Sequence, residues 1–96
     1  MSTKQEFARS LKLARLSKDL TQEDFSEVSS RTYLSSLERG IKSPTLEKID
    51  VLAKTMQIHP LTLLTLTYLK GQKIQNIDSL QKKIIKQVSE ILADTD

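Results

Sequence analysis

The chain has 96 residues, a formal net charge of +3 and no cysteine. This length fits one small domain with a limited core, which oligomerisation commonly supplements. The lack of cysteine excludes disulfides and thiolate metal sites, and no apolar run approaches the roughly 20 residues that span a bilayer. The amino terminus, MSTKQEFARSLK, lacks the apolar segment of a signal peptide, so we expect a cytoplasmic protein.

The first predicted element is a helix from about Thr3 to Lys18. Apolar residues recur along it with helical periodicity, and strand-like alternation is absent from the whole chain, which predicts an all-α fold. One stripe of this helix holds Phe7, Leu11, Ala14 and Lys18, and a second holds Leu13, Leu16 and Leu20.

The segment TQEDFSEVSSRTYLSSLERG predicts two short helices joined by a tight turn. Thr21 and Asp24 have the spacing of a capping box, which predicts a second helix over about residues 22–28. A new start at Ser29 or Ser30 and a stop at Gly40 predict a third helix over about residues 31–39. Two short helices with so short a turn make a helix-turn-helix unit, which usually reads DNA.

The sequence after Gly40 predicts three further helices. A fourth is expected to start at Ser43-Pro44, with proline in its first turn, and to reach Met56 with Leu46, Ile49, Leu52, Ala53 and Met56 facing inward. A fifth starts at Pro60. Lys70-Gly71-Gln72 is the best boundary between a DNA-binding domain (residues 1–70) and a C-terminal amphipathic helix (residues 71–96), whose apolar residues are Ile77, Leu80, Ile84, Val88 and Ile91.

Helical geometry predicts which residues of the third helix contact DNA. At about 100° per residue, Leu34 and Leu37 share the buried face, and the opposite face is free to enter the major groove. We expect Arg31 to bind a guanine and Thr32 to meet a thymine methyl or an acceptor, while Tyr33 and Gln22 suit phosphates. The full predicted DNA-binding set is Gln22, Ser30, Arg31, Thr32, Tyr33, Ser35, Ser36, Arg39, Lys42 and Ser43.

The fifth helix has more leucines than one buried face can hold, so a second chain is the simplest cover. The predicted dimer interface comprises Leu61, Leu63, Leu64, Leu66 and Tyr68. Three placements of the sixth helix stay open: on a partner, back on the Leu13/Leu16 stripe, or against the core of its own chain.

The segments LKLARLSKDLTQEDF, SRTYLSSLERG and SPTLEKIDVLAKTMQIHP, in this order, resemble the phage-repressor/Cro-like (XRE-type) helix-turn-helix regulators. SRTYLSSLERG is similar to the controller proteins of restriction–modification systems. The resemblance covers roughly residues 7–69. Three departures stand out: Asp19 and Gln57 replace glycines that the family commonly has, and the link before the third helix is about two residues short and lacks the family's usual glycine and apolar residue.

The resemblance implies a five-helix repressor-like DNA-binding domain with an appended C-terminal helix, from a bacterium or phage. It implies a buried ion pair between Arg15 and Glu38, a phosphate contact by Gln22 and pairing through the fifth helix. The implied function is a homodimeric transcriptional regulator on an inverted-repeat operator in double-stranded DNA, which represses by occluding RNA polymerase or activates by touching it. The alternative is an antitoxin or another protein-interaction module on the same scaffold.

An enzyme is not expected from these residues. The sole histidine, His59, precedes Pro60 and has no cysteine or second histidine with which to form a metal site. There is no glycine-rich phosphate loop, and no serine sits in a nucleophile elbow. We therefore expect no catalytic residue, no metal and no cofactor.

Overall fold

The computed structural model describes residues 2–71 and 76–95. Every regular element in these ranges is helical, which confirms the all-α prediction. In chain order the elements are α1 (Thr3–Ser17), a 3-10 helix (Gln22–Phe25), α2 (Arg31–Glu38), α3 (Leu46–Thr55), α4 (Pro60–Gly71) and α5 (Ile77–Asp94). Within the described ranges, no helix is long and apolar enough to cross a bilayer.

The core lies where α1, α2, α3 and α4 meet the 3-10 helix. The predicted α1 stripe points into it, except for Lys18, which is exposed at the C-cap of the helix. α1 packs mainly against α4, so the first and fourth α-helices lie side by side in the fold. The fully buried apolar side chains are Leu11, Phe25, Leu34, Leu37, Leu52, Ala53 and Leu63.

The second predicted helix is shorter than expected. It is a single 3-10 turn, Gln22–Phe25, rather than a helix that continues to Val28. The capping box is present, with the Thr21 backbone N–H donating to Asp24 Oδ2 at 2.7 Å. A turn follows directly, closed by a hydrogen bond from the Ser29 N–H to the Phe25 carbonyl at 2.9 Å. The short link leaves no room for another helical turn before α2.

The prediction that the fourth helix starts at Ser43-Pro44 was wrong. α3 begins at Leu46, and Thr45 is its N-cap, with the Thr45 hydroxyl accepting from the Lys48 N–H at 3.1 Å. Leu46, which was expected to face inward, is the first residue of this helix and is 75% exposed. The other four predicted inward residues, Ile49, Leu52, Ala53 and Met56, are buried.

Three helix ends use left-handed backbone conformations. Gly40 (φ 72°) follows α2, as its sequence predicted. Asp19 (φ 57°) follows α1 and Gln57 (φ 59°) follows α3. Glycine adopts this conformation without strain, so Asp19 and Gln57 carry a steric strain that Gly40 does not.

α5 does not fold back on α1. Leu13 and Leu16 remain 49% and 52% exposed, which rules out that placement in this chain. Instead the first half of α5 lies beside α4, where Leu80 is buried and Ile84 borders a groove. Of the predicted boundary Lys70-Gly71-Gln72, α4 includes Lys70 and Gly71, and Gln72 lies outside the described residues.

Candidate nucleic-acid interface

One shallow concave surface is formed where the 3-10 helix meets the outer face of α2. Its lining consists of Gln22, Arg31, Thr32, Ser35 and Arg39. All five belong to the set predicted from the sequence, and the structure brings them together on one side of the molecule. The surface carries two guanidinium groups, two hydroxyls and one amide, and no acidic side chain lines it. Such a surface can donate hydrogen bonds to phosphates and base edges.

The local sequence fixes which face of α2 is presented. Ser30 is the N-cap, and its Oγ accepts a hydrogen bond from the Tyr33 N–H at 3.1 Å. Leu34 and Leu37 are fully buried. Arg31 and Thr32 therefore occupy the exposed first turn, the part of a recognition helix that approaches bases in docked helix-turn-helix proteins.

Ser36 was wrongly predicted to face DNA. It is buried, with 6% of its surface exposed. Ser36 is only 100° around the helix from Leu37, and the loop after α2 covers that side of the helix. The Ile41 N–H donates to the Ser36 carbonyl at 3.0 Å, which holds this loop against α2.

An ion pair anchors the C-terminal end of α2. Arg15 Nε donates to Glu38 Oε2 at 2.7 Å, and a second guanidinium nitrogen donates to Glu38 Oε1 at 2.9 Å. A third donates to the Leu20 carbonyl at 2.8 Å. The hydrogen bond to Glu38, with a smaller contribution from its charge, raises the pKa of Arg15 despite partial burial. The pair implied by the resemblance is thus present, with only 9% and 4% of the two side chains exposed.

Gln22 is connected to this ion pair. Its Nε2 donates to Glu38 Oε1 at 3.2 Å. A glutamine amide has two N–H donors, so one donor is used inside the protein and the other is free on the concave surface. Glu38 thereby fixes the side chain of Gln22 as well as the end of α2.

A second basic cluster flanks α2 on the side of the following loop. Two ammonium groups lie over the ring of Tyr33, with Lys42 Nζ 5.6 Å and Lys48 Nζ 5.2 Å from its centroid. Tyr33 is half-buried against the core, whereas Lys42 and the neighbouring Ser43 are exposed. Lys48 was missed by the sequence reasoning. No local pattern marks it, because its partners are 15 and 20 residues away.

The residues predicted for the dimer interface are not equivalent in the structure. Leu61 and Tyr68 are exposed, and Leu64 and Leu66 are half-buried. Leu63 is fully buried in the core of its own chain. It cannot contact a partner, so its assignment to the interface was wrong; it occupies the one face of α4 that the core covers.

The exposed apolar side chains of α4 continue onto α5. Two grooves run between these helices, one bordered by Leu61, Tyr68 and Leu80 and the other by Leu66, Leu69 and Ile77. Farther along, the second half of α5 extends the apolar stripe, where Ile85, Val88, Ile91 and Leu92 are all exposed.

A short helix, a tight turn and a second helix with a polar outer face define a helix-turn-helix, a DNA-binding unit. A protein-family model described as Helix-turn-helix (HTH_3) matches residues 11–63, from within α1 into α4. The match covers more than half of the chain, which therefore belongs to this XRE-type family of DNA-binding regulators. No curated protein gives a significant match.

Proposed function

We propose that this protein is a sequence-specific transcriptional regulator that binds an inverted-repeat operator as a homodimer. The observation that carries this proposal is the concave surface of Gln22, Arg31, Thr32, Ser35 and Arg39, which is polar, free of acidic side chains and built on a well-anchored α2. The surface includes Arg31 and Thr32 in the first turn of α2, the part of a helix-turn-helix that meets base edges.

The proposed contacts fall into two groups. Arg31 binds a guanine through its O6 and N7 atoms, and Thr32 contacts a neighbouring base. Around them, a larger group contacts the backbone, comprising Gln22, Ser30, Tyr33, Ser35, Arg39, Lys42 and Ser43. The hydroxyl of Ser30 accepts the capping N–H from Tyr33 and keeps its own proton to donate to a phosphate.

The proposed dimer uses the apolar surface of α4 and α5. The charges of α5 favour an antiparallel arrangement, because Lys82, Lys83 and Lys86 lie in its middle and Glu90 and Asp94 near its C-terminus, while Asp78 is the single acidic residue near its N-terminus. A two-fold axis across α5 brings the basic part of each helix beside the acidic end of the other. The same pairing covers the exposed stripe of Val88 and Ile91.

The first prediction separates base reading from backbone binding. Arg31→Ala is expected to weaken the cognate site by about 1–3 kcal/mol and to relax the preference at one base pair in each half-site. Lys42→Ala should weaken all sequences about equally and lower the slope of log K against log salt by about one unit. Selection of bound sequences, followed by titrations at several salt concentrations, measures both effects.

Arg9→Ala is the matched control, since Arg9 is an exposed arginine on α1 outside the concave surface. It should leave the preference at every base pair unchanged. If Arg31→Ala weakens cognate and random DNA equally, Arg31 is a backbone contact. If the selection returns no preferred sequence, the proposed function itself fails.

The second candidate function is a protein-interaction module such as an antitoxin. The exposed apolar stripe on the second half of α5 is the observation that favours it. In that case a different protein, rather than a second copy, covers the stripe. A purified chain that remains monomeric and shows no sequence preference for DNA would favour this function.

A further inference from the structure

Lys48 connects three elements that are distant in sequence. Its backbone N–H is held in the first turn of α3 by the Thr45 hydroxyl. Its side chain leaves α3, and Nζ donates to the Val28 carbonyl, in the link before α2, at 3.0 Å. The same nitrogen lies 5.2 Å from the ring centroid of Tyr33, in the first turn of α2.

The position of Lys48 in α3 does not favour a cation. Positive charge near a helix N-terminus is opposed by the helix dipole, and Glu47 is the residue that suits this turn. The favourable interactions of Lys48 therefore lie outside its own helix. They are a charge-assisted hydrogen bond to the link and a cation–π contact with α2.

These contacts act at the end of α2 that lies away from the ion pair. The C-terminal end of α2 is held by the Arg15–Glu38 ion pair. Its N-terminal end follows the short link after the 3-10 helix. Lys48 fixes this end from both sides, through Val28 before the helix and Tyr33 within it.

We infer that Lys48 is a positioning residue that sets the orientation of the N-terminal end of α2 and thereby determines how well Arg31 and Thr32 read bases. The inference rests on the proposed base reading by α2. Lys48 is half-buried, and one of its N–H groups donates to the Val28 carbonyl. Lys42, which contacts the same Tyr33 ring, is exposed and is placed to bind a DNA phosphate. The two lysines thus divide positioning and phosphate binding between them.

The experiment compares Lys48→Met with Lys54→Met. Both substitutions remove one ammonium from α3 and keep an unbranched side chain, and Lys54 is exposed and makes none of the contacts of Lys48. Lys48→Met is expected to weaken the selected cognate site about tenfold while random DNA changes less than about twofold. Lys54→Met should leave the ratio of cognate to random affinity unchanged. Lys48→Arg restores a cation with N–H donors and should recover most of the lost cognate affinity.

A double-mutant cycle with Arg31→Ala tests the mechanism. If Lys48 acts through Arg31, the two losses on cognate DNA are less than additive. Equal losses on cognate and random DNA, with a salt slope lower by about one unit, would make Lys48 a phosphate contact and overturn the inference. The inference would also be overturned if the losses from Lys48→Met and Arg31→Ala on cognate DNA were additive and Lys48→Met left the ratio of cognate to random affinity unchanged.

Folding is checked by circular dichroism before each titration. If Lys48→Met does not fold, Lys48→Gln, which removes the charge but keeps a side-chain N–H donor, takes its place in the comparison and the cycle. A wild-type protein that selects no DNA sequence would refute the proposed function. A wild-type protein that does select one, with a ratio insensitive to these variants, would refute only the role of Lys48.

Discussion

Glu38 holds Arg15 and Gln22 in place under the concave surface. It accepts hydrogen bonds from two nitrogens of Arg15 and from Gln22. Loss of this carboxylate would leave the Arg15 guanidinium buried without its partner, a state that typically costs about 3–5 kcal/mol. Arg31, by contrast, is exposed and caps no structure.

The second prediction follows from this contrast. Glu38→Ala should lower the free energy of unfolding by about 3–5 kcal/mol, whereas Arg31→Ala should change it by less than about 0.5 kcal/mol. Urea denaturation of both variants measures the difference. Equal destabilisation would mean that Arg31 belongs to the scaffold rather than to the reading surface.

The left-handed residue Gln57 is a site of local strain. A non-glycine residue in this region costs roughly 1–2 kcal/mol, part of which it recovers by restricting the unfolded chain. The third prediction is that Gln57→Gly stabilises the protein by about 0.5–1 kcal/mol. Asp19→Gly should gain less, because aspartate tolerates this conformation better than glutamine. Both are measured by urea denaturation.

Gly40→Ala is the opposite control. Gly40 has φ 72°, a conformation in which any added side chain is strained, so this substitution should destabilise although the new Cβ would make only an ordinary 3.4 Å contact with Gln5 Cγ. If Gln57→Gly is destabilising instead, contacts of the glutamine side chain outweigh its backbone strain.

At the scale of elements, α5 differs from the other helices. Its first half is held to α4 by Leu80, while the second half keeps an uncovered apolar stripe. Each of α1 to α4 buries one apolar face in a shared core, whereas only Leu80 of α5 is buried among the described residues. This stripe is the surface that the proposed dimer would cover.

The fourth prediction tests the proposed dimer at Val88, which is 48% exposed in the monomer. A charge there should disrupt an apolar interface without disturbing the core, so Val88→Glu is expected to be monomeric at micromolar concentration. Ser79→Glu adds the same charge at an exposed position on the opposite face of α5 and should remain dimeric. Analytical ultracentrifugation measures both. A dimeric Val88→Glu variant would place the interface away from the second half of α5.

At the scale of the whole molecule, the proposed two-fold dimer would constrain the spacing of the operator that it binds. In a dimer with two-fold symmetry, the two recognition helices must enter successive major grooves on one face of the duplex. Half-site centres should then lie about 10–10.5 base pairs apart, roughly 34–36 Å, or at a multiple of that spacing. Bending of the DNA can absorb small departures from this spacing.

The fifth prediction concerns this spacing. Inserting five base pairs between the two arms rotates them to opposite faces of the duplex, so binding should fall to the non-specific level. The same insertion outside the arms should have no effect. Electrophoretic mobility shift titrations compare the two. Cognate affinity that survives the insertion would show that a rigid dimer is not the binding unit.

Much of this architecture could be predicted from short stretches of sequence, because the signals involved are local. Apolar residues at helical spacing placed the core-facing sides of α1 and α2, and the side chains of Thr21 and Ser30 marked two helix starts. The exposed position of Arg31 followed from the burial of Leu34 and Leu37. In each case the residues that determine the feature are within about two helical turns of one another.

Tertiary structure decided what depends on contacts between distant segments. The periodicity of α4 showed that some leucines must be buried, but only packing against α1 and α3 selected Leu63. The loop after α2, held by the Ile41 N–H, buried Ser36. Lys48 reached Val28 and Tyr33 only because the fold brings α3 against the link and α2. A helical pattern specifies which residues share a face, whereas the neighbour that covers each face is set by the whole chain.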